Sequence, residues 1–235
     1  DEEMADVLEE FSPTMVSFHF GLPSKPLLLR VKARGSFVAS SATTLNEARW
    51  LVANGADGVI AQGLEAGGHR GHFLDRDVSQ QSNTLELLQL LMPHIHVPII
   101  AAGGIAEAQG VHAAMAAGAA AVQVGTSFLL CHEAKTSPLH RARLRDVHAP
   151  TALTNLFTGG LARGMFNRVM REIGPQNAEA PAFPMATQSI APLRAKAEAN
   201  QRDDFTPLWS GMNRAGCAEC SAAEMVHQLA AAFSS

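Results

Sequence analysis

Residues 97–130 read VPIIAAGGIAEAQGVHAAMAAGAAAVQVGTSFLL. The apolar run Val97-Pro98-Ile99-Ile100-Ala101 leads into Ala102-Gly103-Gly104. A helical stretch near Glu107 to Ala117 stops at Gly118, and a second run, Ala121-Val122-Gln123-Val124, leads into Gly125-Thr126. Strand, glycine turn, helix, glycine stop and strand is the order of a β-α-β unit. Neither run alternates between apolar and polar residues, as expected of strands buried on both faces of a parallel sheet.

The same pattern extends upstream. Met15-Val16-Ser17-Phe18, Ser36-Phe37-Val38-Ala39 and Gly58-Val59-Ile60-Ala61 read as three further strands. Ala53-Asn54-Gly55-Ala56-Asp57-Gly58-Val59 resembles Ala116-Ala117-Gly118-Ala119-Ala120-Ala121-Val122, each a helix end, a glycine stop and a strand start. Thr44 with Glu47 predicts a capping box ahead of one helix, and Asn83 with Glu86 predicts another that Pro93 ends. Repeated β-α units imply a parallel sheet with right-handed crossovers, either a barrel or a doubly wound sheet. After Leu130 the pattern becomes helical: His132 to Asp146, Leu161 to Ile173, about Thr187 to Asn200, and a last helix opened by Ser221 with Glu224. No low-complexity linker divides the chain. The expectation is one domain, with a β/α portion over 1–130 and a helical C-terminal layer over 131–235.

The 235 residues are 47% hydrophobic and 17% charged, enough to bury a core. The net charge of −4 and scattered basic residues argue against nucleic acid as the main partner. Ala113 to Leu130, the longest weakly polar stretch, holds Gly118, Gln123, Gly125, Thr126 and Ser127. It reads as helix, turn and strand rather than as the run of about 20 apolar residues a membrane span needs. Cys131, Cys217 and Cys220 cannot close a disulfide framework. With no signal-type N-terminus, they point to a reducing, cytoplasmic location.

In parallel α/β folds ligands bind at the carboxyl ends of the strands. Gly103-Gly104 and Gly125-Thr126 stand there on successive β-α units, where backbone N–H groups and a helix N-terminus can hold one phosphate between them. The third strand leads into Gln62-Gly63-Leu64-Glu65-Ala66-Gly67-Gly68-His69-Arg70-Gly71. His69 lies among glycines on that loop, where no helical face needs packing, and an imidazole of pKa about 6.5 can act as a base near neutrality. His19 closes the first strand and is read either as lining the same pocket or as packing. His72, with His69 and Asp75, lacks a second ligand cluster, so no metal site is assigned. Cys217-Ala218-Glu219-Cys220 has the spacing of zinc or redox motifs, but standing alone it is read as solvated or packing thiols. Arg163, Arg168 and Arg171 are read as a solvated helical face, with Arg163 the one that could reach a ligand phosphate.

Three segments in this order resemble the nitronate monooxygenase family, formerly 2-nitropropane dioxygenase: Glu65 to Gly71, Pro98 to Ile105, and Ala121 to Leu129. The resemblance extends to Val16-Ser17-Phe18-His19-Phe20-Gly21, Ser40-Ser41-Ala42-Thr43, Ala162-Arg163-Gly164, Asn167-Arg168 and Leu208-Trp209-Ser210-Gly211. It implies a TIM (β/α)8 barrel that binds FMN non-covalently and oxidises alkyl nitronates with O2. By motif position, His69 matches the catalytic base. Gly103, Gly104, Gly125 and Thr126 match the flavin phosphate site, and Gln62 and Gly68 lie near the isoalloxazine ring.

Against the family pattern the N-terminal portion is missing. The five core strands therefore correspond to strands four to eight, and the chain is expected to be a truncated product, a fragment, or a chain completed by another chain; its expected partner is a second copy in a homo-oligomer or the missing N-terminal segment. Phe157-Thr158-Gly159-Gly160-Leu161-Ala162-Arg163 lacks an Arg-Pro before its Ala-Arg, and Gly211-Met212 replaces Gly-Gln. Both bear on substrate contacts more than on flavin. Two other readings remain: a flavin-dependent enoyl-acyl carrier protein reductase, similar in its Gly-Gly-His and Ala-Gly-Gly-Ile motifs, and a non-catalytic barrel remnant.

Overall fold

The structure is a computed structural model that describes residues 2–233. Its strands among the described residues are β1 (Met15–Phe18), β2 (Phe37–Ala42), β3 (Gly58–Gln62), β4 (Gly68–His69), β5 (Ile99–Ala102), β6 (Ala121–Gln123), β7 (Thr151–Thr154) and β8 (Ala162–Met165). The helices are α1 (Glu2–Phe11), α2 (Lys25–Ala33), α3 (Leu45–Ala53), α4 (Thr84–Leu91), α5 (Ala108–Ala116), α6 (Pro138–Leu144), α7 (Arg168–Ile173), α8 (Ala186–Ala199) and α9 (Ala222–Ala230). The chain forms two compact units. One holds the residues up to Leu64, Gly71–Ala102 and Ala113–Gln123; the other holds Glu65–Arg70, Gly103–His112 and the chain from Val124 onward. The division thus runs through the strand-end loops rather than at residue 130.

In the first unit five strands pair in parallel in the order β1-β2-β3-β5-β6. Pairs such as Ala39 with Gly58, Val59 with Ile99 and Ile100 with Ala121 set the register. Each strand lies beside the next of its kind in the chain, the winding of an α/β half-barrel rather than of a sheet whose order reverses. β3 is buried along its whole length, which explains its unbroken apolar reading. Ala39, Ile60 and Ala102 pack together with Phe37 and Ile100. The predicted strands are all present, within a few residues of their expected ends.

The Asn83–Glu86 capping box forms as expected. At α3 only half of one does: the Thr44 hydroxyl accepts from the Glu47 N–H. The Glu47 carboxylate, 1% exposed, instead accepts from the Thr43 N–H and hydroxyl and from the N–H groups of Phe73 and Leu74. The carboxylate is drawn to two donors on Thr43, just ahead of the N-cap, and two on the Phe73–Leu74 loop rather than to the N-cap N–H. The sequence reading did not single out α1 and α2, which are joined by Arg30 reaching Glu2, Asp6 and Glu9 across the pair.

The second unit carries a three-stranded antiparallel sheet, order β4-β8-β7, that corrects the expected helix over 161–173. Ala162–Met165 is a strand buried at every position, with Leu153 opposite Arg163 on one side and His69 opposite Ala162 on the other. A strand buried on both faces shows no period of two, so its short apolar run is indistinguishable from a helix by pattern. Helix α7 starts only after Asn167. The helix expected over 132–146 shrinks to α6, which Ser137 caps and Pro138 opens. Upstream of it, the Arg141 guanidinium binds the carbonyls of Leu130, Cys131 and Ala134 and holds that segment as turns. The Ser221–Glu224 capping box is present at α9. No helix of the described residues is long and apolar enough to cross a membrane.

Candidate active site

The second unit brings six of the seven predicted site residues into one body, Gly68, His69, Gly103, Gly104, Gly125 and Thr126; Gln62 lies on the first, where it ends β3. There the Gln62 amide oxygen accepts the Gly71 N–H at 2.7 Å. His19, on the same unit, shares a 3.0 Å hydrogen bond with Ser41 and lies under Gly71, where a Cβ would fall 2.8 Å from its ring.

The two glycine turns are built differently. Gly103 and Gly104 have φ of +114° and +69°, left-handed backbone that glycine adopts without strain. Gly125 opens the short 3₁₀ turn Thr126–Leu130, and a Cβ built on it would meet nothing within 4 Å. One segment of the C-terminal half serves both turns. The Gly211 N–H donates to the Thr126 hydroxyl at 2.9 Å, and the Asn213 amide donates to the Gly104 carbonyl at 3.1 Å. Glu65 stands beside Gly104, and its carbonyl accepts the Met212 N–H at 3.0 Å. Gly67 is needed because a Cβ there would sit 2.4 Å from the Gly211 nitrogen. Arg214, 2% exposed, ties the segment down by donating to the carbonyls of Gly211, Val147 and Ala149. A turn of two left-handed glycines, a 3₁₀ start with open space over its glycine, and one hydroxyl fit the phosphate of a mononucleotide.

His69 sits on β4, with Gly68 opposite Arg163 and His69 opposite Ala162 of β8. Trp209 bridges to Gly164 on the same strand, so the indole follows the imidazole along β8. The Trp209 and Phe183 rings both lie 5.5 Å from the His69 ring, and Phe157 meets Trp209 edge-on at 5.5 Å. His69 Nε2 shares a 2.9 Å hydrogen bond with the Thr158 hydroxyl, which also contacts the Gly160 carbonyl at 3.3 Å. Gly160 leaves the room this needs, since a Cβ would stand 3.5 Å from His69 and 3.0 Å from Phe183.

The arginines are corrected. Arg163 is not on a solvated helical face but on β8, 8% exposed, donating to the Thr151 hydroxyl at 3.2 Å. Burial pulls its guanidinium below the usual arginine range, and the charge of Glu65 offsets part of that. Arg168 does lie exposed, paired with Glu172. His72 Nδ1 accepts from the Gln81 amide at 3.2 Å. Among the described residues no group of three or more His, Cys, Asp or Glu is placed to hold a metal ion. A cavity of about 240 Å³ lies in the same unit, lined by Leu156, Val169, Pro181, Ile190 and Leu193 among others, and includes none of the predicted site residues.

Thr158, Phe183 and Arg214 were missed by sequence reasoning. They reach the site through pairings of distant segments and carry no motif of their own. Trp209 was visible only within the family motif Leu208-Trp209-Ser210-Gly211.

The nitronate monooxygenase family model matches residues 1–232. The chain belongs to this family. It is 38% identical over 231 residues to the nitronate monooxygenase of Pseudomonas aeruginosa, covering 97% of this chain and 66% of that relative. It is 34% identical to the probable nitronate monooxygenase of Bacillus subtilis, covering 95% and 65%. The chain thus spans somewhat less than two thirds of the length of these curated relatives. Among solved structures, a nitroalkane oxidase from Streptomyces ansochromogenes superposes with a TM-score of 0.91 at 38% identity, covering 99% of this chain and 67% of that one. FabK from Thermotoga maritima superposes at 0.78 and 26% identity, covering 99% and 72%.

Proposed function

We propose that the chain is the catalytic part of an FMN-dependent enzyme that oxidises alkyl nitronates with O2, with His69 as its base. In this reading its five parallel strands are strands four to eight of a β/α barrel. The observation that carries it is the segment from Leu208 to Asn213. It ties both glycine turns together and places the Trp209 indole against His69. Gly103, Gly104, Gly125 and Thr126 would hold the FMN phosphate, and Gly68 and Gln62 would stand by the ring. Bound flavin supplies the electron sink and the reaction with O2.

The remaining chemistry belongs to the chain. The Thr158 hydroxyl has one proton. With that proton on the Gly160 carbonyl, His69 Nε2–H donates to Thr158 and Nδ1 is the basic nitrogen. That nitrogen takes the α-proton of a neutral nitroalkane, or orients a nitronate that arrives as an anion. Phe183 and Trp209 pack against the imidazole and fix its plane. Positioned acid–base catalysis contributes about 10²–10⁴-fold. His69→Asn should therefore keep FMN and lose at least about 100-fold in kcat/KM on neutral nitroalkanes, followed by O2 uptake; unchanged turnover removes His69 from the mechanism. An NADPH-consumption assay with a crotonyl thioester addresses the enoyl reductase reading, which requires turnover there. A colourless preparation that fails to bind added FMN would favour the remnant.

A further inference from the structure

All three cysteines of the chain lie in the second unit, close to the 3₁₀ turn that begins at Thr126. Cys131 caps the end of that turn and is 1% exposed. The N–H of the next residue, His132, donates to the Cys220 carbonyl at 3.0 Å, which fixes the Cys220 backbone beside Cys131. Among the groups that raise the Cys131 thiol, the Cys220 thiol stands next after burial. Cys220 is half-buried, so one member of the pair meets solvent and the other is shielded behind it. The Cys217 thiol is engaged elsewhere, donating to the Thr126 carbonyl at 3.3 Å, and burial pushes it up to about 11. Of the pairs available, the C-x-x-C spacing offers Cys217 with Cys220, whereas the packing offers Cys131 with Cys220. A disulfide needs Cα atoms within about 7 Å, and the 3.0 Å hydrogen bond from the His132 N–H to the Cys220 carbonyl brings the main chains of the second pair side by side.

We propose that Cys131 and Cys220 form a reversible disulfide when the protein meets a small-molecule disulfide. The Cys220 thiolate attacks one sulfur of the oxidant and expels the other half as a thiolate, which takes up the proton Cys220 gave to solvent. Cys131, deprotonated in turn, then attacks the Cys220 sulfur of the mixed disulfide and releases the second thiol. Two cysteines lose two electrons, and the oxidant becomes two thiols. Burial and the neighbouring thiol raise Cys131, so the second step is the slow one.

The test is to incubate the native, reduced protein with oxidised glutathione, block remaining thiols by alkylation, and map peptides by mass without reduction. The wild type should lose two of its three free thiols and yield a peptide pair joining Cys131 to Cys220, reversed by dithiothreitol. Cys217→Ser should give the same pair, and Cys220→Ser should give no crosslink. Three thiols still free, a Cys217–Cys220 link, or glutathione that stays on Cys220 without going on to Cys131 would each overturn the proposal. Flavin binding enters none of these readings, so they stand apart from the proposed activity.

Discussion

The two units hold themselves together in opposite ways. The five-stranded sheet pairs strands that follow one another along the chain, and Gly35, Gly55 and Gly118 follow helices at its turns. The second unit gathers Gly68–His69, Thr151–Thr154 and Trp209 onto one short strand, β8, and lets backbone touch backbone wherever a glycine allows it. Gly35 and Gly216 show the contrast. Gly35 has a φ of +82° with nothing within 4 Å of a built Cβ; at Gly216 a Cβ would fall 1.8 Å from the Ala106 carbonyl oxygen. Local turns tolerate change at the cost of a dihedral, whereas long-range contacts between main chains do not tolerate it at all.

The largest expected effect follows directly. Gly216→Ala should cost about 3 kcal/mol or more, since the atom it strikes is backbone and cannot swing away, while Gly35→Ala should cost about 1 kcal/mol for its left-handed backbone. Paired denaturation curves check this, and equal losses would abolish the contrast. Next comes Arg214. Removing its guanidinium with Arg214→Met leaves the carbonyls of the buried Ala149 and Gly211, and that of the exposed Val147, short of a donor, a loss of about 3 kcal/mol. Because Gly211 also bonds Thr126, FMN affinity should fall along with the unfolding midpoint. Smaller still is Gly160→Ala, which presses on Phe183 and His69 without touching the core. It should lower kcat on nitroalkanes about tenfold, near 1.4 kcal/mol of barrel-end positioning, with the melting temperature little changed.

Much of the first unit was legible because its signals are local. Gly55 and Gly118 announce helix ends, Asn83 and Glu86 announce a helix start, and the strands between are uniformly apolar. The glycine turns of the site were legible for the same reason: Gly103 and Gly104 take dihedrals that few other residues tolerate. The second unit was misread where its signal is not local. Ala162–Met165 is a strand only because β4 and β7 flank it, and Arg163 is buried only because that strand is. Thr158 meets His69 across 89 positions of sequence, a separation no spacing rule covers. Glu47 lies between these cases. Its place at the start of α3 was legible, but the loop at Phe73 and Leu74 that claims its carboxylate was not.

The smallest expected effect tests the local unit on its own terms. Burial would raise the Asp57 carboxyl, but the Lys32 ammonium at 2.7 Å and the Val38 N–H at 2.9 Å outweigh it and hold the group below its ordinary value. A carboxyl whose folded pKa lies below its unfolded one stabilises the fold above the unfolded value, near 3.8, and that stability is lost as pH falls through the folded one. The pair is about a third exposed, so its worth is below about 1 kcal/mol. Asp57→Asn should therefore lower stability slightly at neutral pH and flatten the acid limb of the stability profile below pH 4, and raising salt should shrink the difference. If the profile keeps its slope in the variant, the acid sensitivity belongs to other carboxylates, and the ion pair between α2 and the start of β3 is only an incidental contact.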